Sequence, residues 1–442
     1  MPVSWTVVLD DDPTGTQGLT DVPVVISASP DAIDWAFQRS TTVYFLTNTR
    51  SMGAAEAERV VDEMLDAAAE SARRLGGTVE YISRGDSTLR GHFPLEVNRI
   101  LERTARDIHG CLLVPAFPAA GRLTIDGVHT VNIDGRQIPV GESEYARDAT
   151  FGYDVSGLVE WARERVPATW RVVEIASATF DQGIDALVDA LTLNSDFTVF
   201  CPSIRDDSDL DLLARAHREL LVRDRSLIVQ AGPAYPAFYG NLSRANEIDF
   251  ALAPGNGLVV AGSHTNTTTQ QLESVAATGA VAHCELHIDE LFDGDRAREI
   301  DRIVDCVEGS LAAAHVIVST TRTARVSGDS ATSLAIARSI ADAVTDVTRR
   351  VLHRGVPFVV AKGGITSHDV LANGLGWDAA LVLGPLLEGT LPVMRNWREC
   401  ADTSTAAIIF PGNVGDSGLL SRAIARLTML ANRTVEGNRI HG

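Results

Sequence analysis

The segment at residues 5–17, WTVVLDDDPTGTQ, places three consecutive carboxylates directly after a short apolar run. A β-branched apolar run of this length is typical of a buried strand. Side chains at the carboxyl end of such a strand are typical of ligand sites in parallel α/β sheets, because the loops there face the ligand. A helix cap with two solvated neighbours would also account for Asp10, Asp11 and Asp12.

Short apolar runs alternate along the chain with longer stretches of helical periodicity, a pattern typical of βα units around largely parallel sheets. The clearest helices are predicted over residues 54–75, ended by Gly76-Gly77, and over roughly 330–354. One segment breaks this rhythm: Asp134-Gly135 lies between alternating residues and predicts a β-hairpin that projects from the first domain. The predicted fold class is therefore α/β.

A segment rich in Pro, Gly and Asn at residues 240–256 separates two series of predicted strands. A chain of 442 residues is also too long for one ordinary core. We predict two domains, residues 1–245 and 256–442, each a largely parallel sheet flanked by helices. A cleft between the domains is expected to close over the bound molecules.

Charge and hydropathy exclude several classes of protein. The net charge is −20, and no basic cluster interleaved with aromatic residues offsets it, so neither nucleic acid nor a membrane surface is an expected partner. No apolar run reaches the ~18 residues of a membrane-spanning helix. The first residues, MPVSWTVVLDDD, lack the basic region of a signal peptide, so we expect a cytoplasmic protein. A homodimer is the default expectation.

The cysteines are odd in number and widely spaced, without a CxxC pair. This spacing argues against a disulfide framework and a zinc site, so buried thiols are expected. The cysteines are Cys111, Cys201, Cys284, Cys306 and Cys400. The string HCELH offers His283, Glu285 and His287 to a metal, but alternate positions on a strand more simply line one face.

Two further segments, ISRGDSTLRGH and VPAFPAAGR, follow predicted strands and carry guanidinium groups. An acidic protein that binds a small anion needs a local positive site, and charge-assisted Arg–carboxylate bonds contribute about 1.5–3 kcal/mol each. Arg84, Arg90 and Arg122 could together form this site, although any one of them alone is more often a surface charge.

Three glycine-rich loops follow strands in the second half: AGSHTNTTTQQL, AKGGITSHD and FPGNVGDSG. Glycine lets backbone N–H groups approach phosphate oxygens, and a following helix N-terminus adds about half a positive charge. Each loop alone is commonly a turn, but three in one domain favour a phosphate-bearing ligand. The GxxxxGK[ST], GxGxxG, HRD and DFG signatures are absent, which excludes a standard P-loop, Rossmann or protein-kinase assignment.

Along nearly its whole length the chain resembles the four-carbon acid sugar kinase family. Residues 11–15, DDPTG, resemble the family's DDxTG element, residues 86–91 its DSTLRG element, and VPAFPAAGR its third N-terminal mark. GS at 262–263, KGGIT at 362–366 and PGNVG at 411–415 resemble its ATP-binding elements. The chain has DDDPTGTQ and SRGDST where many members have Ala-Asp-Asp-Leu-Thr-Gly-Ala and Lys-Lys-Ile-Asp-Ser-Thr strings, so the reaction type transfers better than the identity of the acid.

The resemblance implies a sugar-acid-binding N-terminal domain and a nucleotide-binding C-terminal domain. It implies phosphorylation, with ATP and Mg²⁺, of a hydroxyl on a short sugar acid such as threonate, erythronate or an oxo-tetronate. The catalytic candidates are Asp12, Asp11, Asp86 and Arg90. The substrate-binding candidates are Asp10, Thr14, Arg84, Ser87, Thr88 and Arg122. The ATP-binding candidates are Ser263, Lys362, Gly363, Gly364, Thr366, Gly412, Asn413 and Gly415.

Several alternatives remain open at this point. Asp12 or Asp11 is expected to accept the hydroxyl proton, with Asp86 as the competing base. Lys362 could contact phosphate or be a solvated charge after a strand. The rival functions are a two-domain protein that binds a small anion without catalysis, and a sugar-acid lyase or an ATP-using ligase on a similar scaffold.

Overall fold

Strands and helices alternate through the first half of the chain in a computed structural model. The model describes residues 3–104, 107–192, 196–223, 226–263, 265–322, 330–353, 355–399 and 404–440. The strands of the first half are β1 Ser4–Asp10, β2 Val22–Val25, β3 Thr42–Leu46, β4 Thr78–Arg84, β5 Ile108–Val114, β6 Arg122–Ile125, β7 Val128–Ile133, β8 Arg136–Pro139, β9 Arg171–Ile175, β10 Thr198–Pro202 and β11 Ser226–Ala231. The helices are α1 Pro30–Arg39, α2 Ala54–Arg74, α3 Leu95–Arg103, α4 Leu158–Arg163, α5 Ser177–Asp181, α6 Ile184–Thr192, α7 Asp207–Val222 and α8 Tyr235–Tyr239.

The second half repeats the alternation. Its strands are β12 Leu258–Ala261, β13 Val281–Leu286, β14 His315–Thr320, β15 Phe358–Lys362, β16 Ala379–Leu387, β17 Thr390–Asn396 and β18 Ala406–Phe410. Its helices are α9 Asn266–Ala276, α10 Ile288–Phe292, α11 Arg296–Leu311, α12 Ser330–Leu352, α13 Gly364–Asp369 and α14 Leu419–Ile440. The chain divides into two units, the first made of Met1–Gly15 and Ala28–Ser243 and the second of Thr16–Ser27 and Arg244–Gly442.

In the first unit a parallel sheet has the strand order β3-β1-β4-β11-β5-β10-β9. Strand β1, which pairs with β3 and β4, is buried from Trp5 to Asp10, as expected of a parallel strand covered on both faces. Parallel pairing brings the carboxyl ends of β3, β1 and β4 to one edge of the sheet. The loops that follow these three strands are therefore neighbours.

The sequence predicts α2 well because its apolar residues recur at helical spacing. Ala57, Val61, Leu65 and Ala68 are buried along one face, and Gly76 leaves the helix in the left-handed conformation, with φ of 77°. The hairpin prediction is also confirmed. Strands β6, β7 and β8 form a separate antiparallel sheet, and the turn between β7 and β8 has positive φ at both Asp134 and Gly135.

The second unit contains a mixed sheet of order β13-β14-β12-β15-β18-β17-β16-β2. Pairing is parallel from β13 to β18 and antiparallel from β18 to β2. The predicted first domain, residues 1–245, has no interruption, whereas in the structure Thr16–Ser27 belong to the second unit. The physical reason is that β2 pairs with β16, which lies more than 350 residues later in the sequence.

These units confirm the predicted fold class, since each contains a largely parallel sheet with helices between its strands. Within the described ranges, no helix combines the length and the apolar character needed to cross a membrane.

The prediction that all cysteines are free thiols is wrong at two positions. Cys284 on β13 and Cys306 on α11 form a disulfide bond, whereas Cys111 and Cys201 are free and buried. The two bonded residues are 22 positions apart, so sequence spacing alone does not suggest the pair. The packing of α11 against β13 brings them together. Cys400 lies outside the described residues.

The disulfide gives a prediction for stability. Cys306→Ala should lower the free energy of unfolding by about 2–4 kcal/mol in oxidising buffer, because the unfolded chain is no longer cross-linked. Denaturant unfolding measures this loss. Reductant should bring the wild-type protein to the level of the variant and leave the variant unchanged. Equal stability of both proteins in oxidising buffer would contradict the bond.

Candidate functional site

Charged side chains meet at the carboxyl edge of the sheet in the first unit. Asp10, Asp11 and Asp12 follow β1, while Arg50 follows β3 and Arg84 ends β4 on either side of it. The backbone ties these loops together, since the Asp11 N–H donates to the Arg84 carbonyl and the Arg50 N–H donates to the Asp11 carbonyl. With Asp86 and Arg90 from the loop after β4, these residues form what we call the carboxylate–arginine cluster.

Arg50 is the central cation of the cluster. Its guanidinium binds the Asp11 carboxylate in bidentate fashion, with Nη2–Oδ1 at 2.8 Å and Nε–Oδ2 at 3.2 Å. It also lies 3.6 Å from the Asp12 carboxylate and 3.5 Å from that of Asp86. One guanidinium group therefore bridges three carboxylates from two loops, and its attraction opposes the effect of burial on all three pKa values. At Asp11 burial still raises the pKa above its ordinary value.

Asp10 and Arg84 form the buried base of the cluster. Arg84 Nη1 lies 2.9 Å from Asp10 Oδ1 and 3.2 Å from Asp11 Oδ1. Burial raises the pKa of Asp10 to about 7, even though Arg84 opposes the shift. The Asp10 carboxylate occupies the space that a Cβ would need at Gly15, which explains the glycine of the DDPTG segment. Both side chains are thus structural partners behind the accessible part of the cluster.

Asp12 and Asp86 hold their charge in the folded protein. Burial opposes ionisation of each, but Arg50 and hydrogen-bond donors outweigh it and hold both pKa values below the ordinary range. Thr14 donates its N–H and hydroxyl to Asp12 Oδ1, which leaves Oδ2 opposite Arg50. Asp12 has 18% of its side chain exposed, against 7% for Asp11. Asp12 therefore presents an ionised, partly accessible oxygen.

The loop with the sequence DSTLRG is held by the hairpin sheet and by the segment after it. His129 on β7 lies with Nε2 2.8 Å from the Ser87 carbonyl, and Tyr153 donates its hydroxyl to the Thr88 carbonyl. Nδ1 of His129 lies 3.0 Å from the Thr124 hydroxyl, so the ring can donate at Nε2 and accept at Nδ1. Burial lowers the pKa of His129 to about 4, which keeps the ring neutral near pH 7.

The other predicted site residues of the first unit differ in how far they are buried. Ser87 and Thr88 are buried, and the Thr88 hydroxyl donates to Asp86. Arg90 is partly exposed; its Nε lies 2.7 Å from Asp86 and its guanidinium stacks 5.2 Å from the ring centre of Tyr145. Within the described ranges Arg122 makes no ion pair with the cluster, and its Nε is buried without a partner.

In the second unit, three loops converge at the carboxyl ends of the neighbouring strands β12, β15 and β18. A Cβ at Gly412 would lie 2.6 Å from the Ser263 hydroxyl, and one at Gly363 would lie 3.2 Å from the Ser263 Cβ. Gly363 has φ of 113°, a conformation that side chains rarely adopt. Thr265 and Thr268 donate their hydroxyls to the Gly412 carbonyl. Glycine is therefore required where these loops touch.

The remaining predicted ATP-binding residues lie in the same loops. Gly364 opens α13, and the Thr366 hydroxyl fills the space next to Gly262. Asn413 is exposed, and Gly415 has φ of 83° just before α14. The structure thus brings together the residues that the sequence places after three separate strands.

Lys362 is not a solvated charge. Its side chain is 0% exposed, with Nζ 3.2 Å from the Pro411 carbonyl and 3.8 Å above the centre of the Phe410 ring. Burial, assisted by the nearby Arg322, lowers the pKa of Lys362 to about 7. Its amino group makes no ion pair with a described carboxylate, so no opposite charge offsets its burial at the base of the glycine loops.

Sequence reasoning missed three residues of these sites: Arg50, Arg322 and His129. Arg50 follows β3, and Arg322 follows β14. Nη2 of Arg322 donates a hydrogen bond of 2.8 Å to the Ser263 carbonyl. Both stand after strands that the sequence predicts, so the rule used for Asp10–Asp12 could have found them. Among the described residues, one buried nitrogen of Arg322, Nη1, has no partner. His129 gave no signal, because its role depends on how the hairpin packs.

Two known protein-family models match successive parts of the chain. A model described as a sugar-binding N-terminal domain matches residues 6–237, more than half of the sequence, and one described as a nucleotide-binding C-terminal domain matches residues 258–420. The chain belongs to the four-carbon acid sugar kinase family. No curated protein matches this family member.

Solved structures share the fold of this sugar kinase family member. A Salmonella typhimurium LT2 protein provisionally described as a tRNA synthase is 16% identical, with a TM-score of 0.70 over 95% of this chain and 98% of its own. A Haemophilus influenzae protein of the DUF1537 family is 18% identical, with a TM-score of 0.64 over 95% of this chain and 99% of its own. At these identities the likeness shows the fold alone.

The part of the chain that the structure describes contains no cluster of three His, Cys, Asp or Glu side chains arranged to hold a metal ion. In the HCELH segment of this sugar kinase family member, His283 Nε2 lies 2.8 Å from the Ser319 hydroxyl, while the His287 N–H donates to Glu299.

The hydrogen bond from Tyr153 to the DSTLRG loop can be tested with matched tyrosine variants. Tyr153→Phe should destabilise the protein by about 1–3 kcal/mol, because the Thr88 carbonyl loses a buried donor. It should also speed hydrogen exchange of the amides at 86–91, measured by mass spectrometry. Tyr81→Phe, which removes a hydroxyl bonded to the Leu65 carbonyl, should leave that exchange unchanged. Equal exchange in both variants would show that Tyr153 does not restrain the loop.

Proposed function

We propose that this protein is an ATP-dependent kinase that phosphorylates a hydroxyl of a short sugar acid, such as threonate, erythronate or an oxo-tetronate. The observation that carries the proposal is a contrast between the two units. The sugar-binding unit has an ionised carboxylate held by Arg50, whereas the nucleotide-binding unit has glycine loops beside a buried Lys362 and a half-buried Arg322, neither of which forms an ion pair with a described carboxylate. Carboxylates bind hydroxyls, and such loops bind phosphate.

Asp12 is the proposed proton acceptor. Thr14 fixes Oδ1, so Oδ2 is the oxygen that can accept a hydrogen bond from a substrate hydroxyl. Asp11 is bound on both oxygens by Arg50, so it is less free to accept the proton. Arg90 and Thr88 both donate to Asp86 Oδ2, and Asp86 Oδ1 lies 3.5 Å from Arg50, so Asp86 is the competing acceptor. Phosphoryl transfer needs an oriented hydroxyl more than a strong base, which suits an acceptor with a low pKa.

Arg90 is the proposed partner of the substrate carboxylate. Arg84 is buried against Asp10 and Asp11, and its charge is already balanced there. Arg90 is more exposed and reaches Asp148 only at 3.6 Å, so part of its guanidinium can bind an incoming anion. Arg122 stays a second candidate, since its buried Nε has no partner among the described residues.

The nucleotide phosphates fit the loops of Ser263, Gly363 and Gly412. Side chains at Gly363 and Gly412 would fill the space next to Ser263, so glycine leaves room there for a phosphate oxygen. The Gly363 N–H itself donates to the Phe410 carbonyl. Arg322 and Lys362 would add positive charge from behind. Mg²⁺, when bound with the nucleotide, would neutralise negative charge on the phosphates.

A coupled ADP-release screen tests the proposal most broadly. Threonate, erythronate, their 2-oxo and 3-oxo forms and branched analogues are the acids to include. ADP release with a phosphorylated acid as product supports the kinase, a cleaved product supports a lyase, and binding without turnover supports a non-catalytic anion-binding protein. The homodimer and the closure of the two domains stay predictions.

Replacement of the proposed base should separate chemistry from binding. Asp12→Asn should lower kcat by about 10²–10⁴-fold, because the amide cannot accept the hydroxyl proton. The Kd for ATP, measured by calorimetry, should stay within about twofold, since the nucleotide loops are unchanged. Asp86→Asn is the matched comparison. A wild-type kcat in Asp12→Asn, with a large loss in Asp86→Asn, would assign the base to Asp86.

The state of Lys362 should be visible in proton uptake. With a pKa of about 7, Lys362 is mostly neutral at pH 8 in the protein without ATP. The negative phosphates of ATP should raise this pKa, so that Lys362 takes up a proton when ATP binds. Calorimetry of ATP binding in buffers of different ionisation enthalpy should therefore show more proton uptake by wild-type protein than by Lys362→Met, a variant of similar volume. Equal uptake in the two proteins would mean that the phosphates lie beyond the influence of Lys362.

A further inference from the structure

A small cavity lies next to the carboxylate–arginine cluster. Its volume is about 20 Å³, and Asp86 and Arg90 of the cluster line it together with Asp11, Glu96, Gln230 and apolar side chains. Glu96 lies in the first turn of α3 and Gln230 near the end of β11. A volume of this size holds one water molecule.

Two buried oxygens at this cavity lack hydrogen bonds. Glu96 is 5% exposed and Gln230 is 9% exposed. Among the described residues, Glu96 Oε2 and Gln230 Oε1 have no partner, although Glu96 Oε1 accepts a hydrogen bond from the Thr49 hydroxyl. Buried polar atoms in folded proteins are nearly always satisfied, by protein or by ordered water, so these two atoms point to a bound ligand.

The neighbouring glycines show that Asp11 and Gln230 face the same space. A Cβ at Gly85 would lie 2.6 Å from Gln230 Nε2 and 3.8 Å from Asp11 Oδ2. A Cβ at Gly91 would lie 3.4 Å from the same Asp11 oxygen. The two glycines thus leave open the region between the amide and the carboxylate, where side chains would otherwise intrude.

Glu96 can act as a donor in this setting. Burial raises its pKa, and the negative charge of Asp11 adds to the rise, which shifts the carboxyl toward its protonated form. A protonated Glu96 offers an O–H, while Gln230 Oε1 and the Asp11 carboxylate both accept. A water molecule matches these three groups, because it can accept one hydrogen bond from Glu96 and donate two, to Gln230 and Asp11.

We propose that the cavity binds a single water molecule that links Glu96 and Gln230 to Asp11, and that Glu96 is a positioning residue for the Asp11–Arg50 pair. The water accepts from Glu96 and donates to Gln230 and Asp11. It fixes the carboxylate that orients Arg50, and Arg50 in turn faces Asp12. The role in turnover rests on the proposed kinase function, whereas the water site does not.

Crystal structures of the wild-type protein, Glu96→Gln and Glu96→Leu test the site itself. One ordered water within hydrogen-bond distance of Glu96, Gln230 and Asp11 is expected in the wild-type cavity. It should remain in Glu96→Gln, whose amide N–H replaces the acid O–H, and it should be lost in Glu96→Leu. A dry wild-type cavity would overturn the proposal.

Kinetics of the same proteins test the positioning role. Glu96→Leu should lower kcat about tenfold or more, because a misplaced Arg50 disturbs Asp12, while the KM for ATP stays unchanged. Glu96→Gln should restore most of kcat. Gln230→Met gives a second route to the same loss if Glu96→Leu fails to fold, as judged by thermal unfolding.

Two results would overturn the positioning role. One is a wild-type kcat in both Glu96→Leu and Gln230→Met, and the other is a loss in Glu96→Gln as deep as that in Glu96→Leu. A protein that releases no ADP with any sugar acid would refute the proposed function instead, and the crystal structures would still decide whether the water is bound.

Discussion

A single guanidinium group, that of Arg50, allows three carboxylates to stand together at the edge of a buried sheet. Like charges at this spacing repel, and burial penalises each of them. Arg50 contacts Asp11, Asp12 and Asp86, so the loops after β1, β3 and β4 are fixed with respect to one another by charge as well as by the backbone. The geometry proposed for the acceptor depends on this interaction.

The two units treat positive charge in opposite ways. In the first, Arg50 and Arg84 are neutralised by carboxylates, which leaves an ionised Asp12 oxygen to meet a hydroxyl. In the second, Lys362 and Arg322 approach the glycine loops without a described acidic partner. A chain with a net charge of −20 thus has basic side chains without described ion pairs beside its glycine loops, where the proposed nucleotide phosphates would lie.

Much of the fold could be predicted from the sequence, because periodicity and strand-end chemistry are local. Helix α2, the turn at Asp134 and Gly135 and the order of the motifs follow from such patterns. The pairing of β2 with β16 and the Cys284–Cys306 bond could not be predicted, because each joins elements through tertiary packing alone. The site was predicted as a set of loops, but which charges pair within it depends on distances that a sequence does not contain.

A crystal structure with threonate and a non-hydrolysable ATP analogue bound together would test the roles of Asp12 and the glycine loops most directly. We expect a hydroxyl of the acid within hydrogen-bond distance of Asp12 Oδ2 and the triphosphate against the Gly363 and Gly412 loops. An acid bound away from the carboxylate–arginine cluster, or a triphosphate bound away from those loops, would contradict these roles.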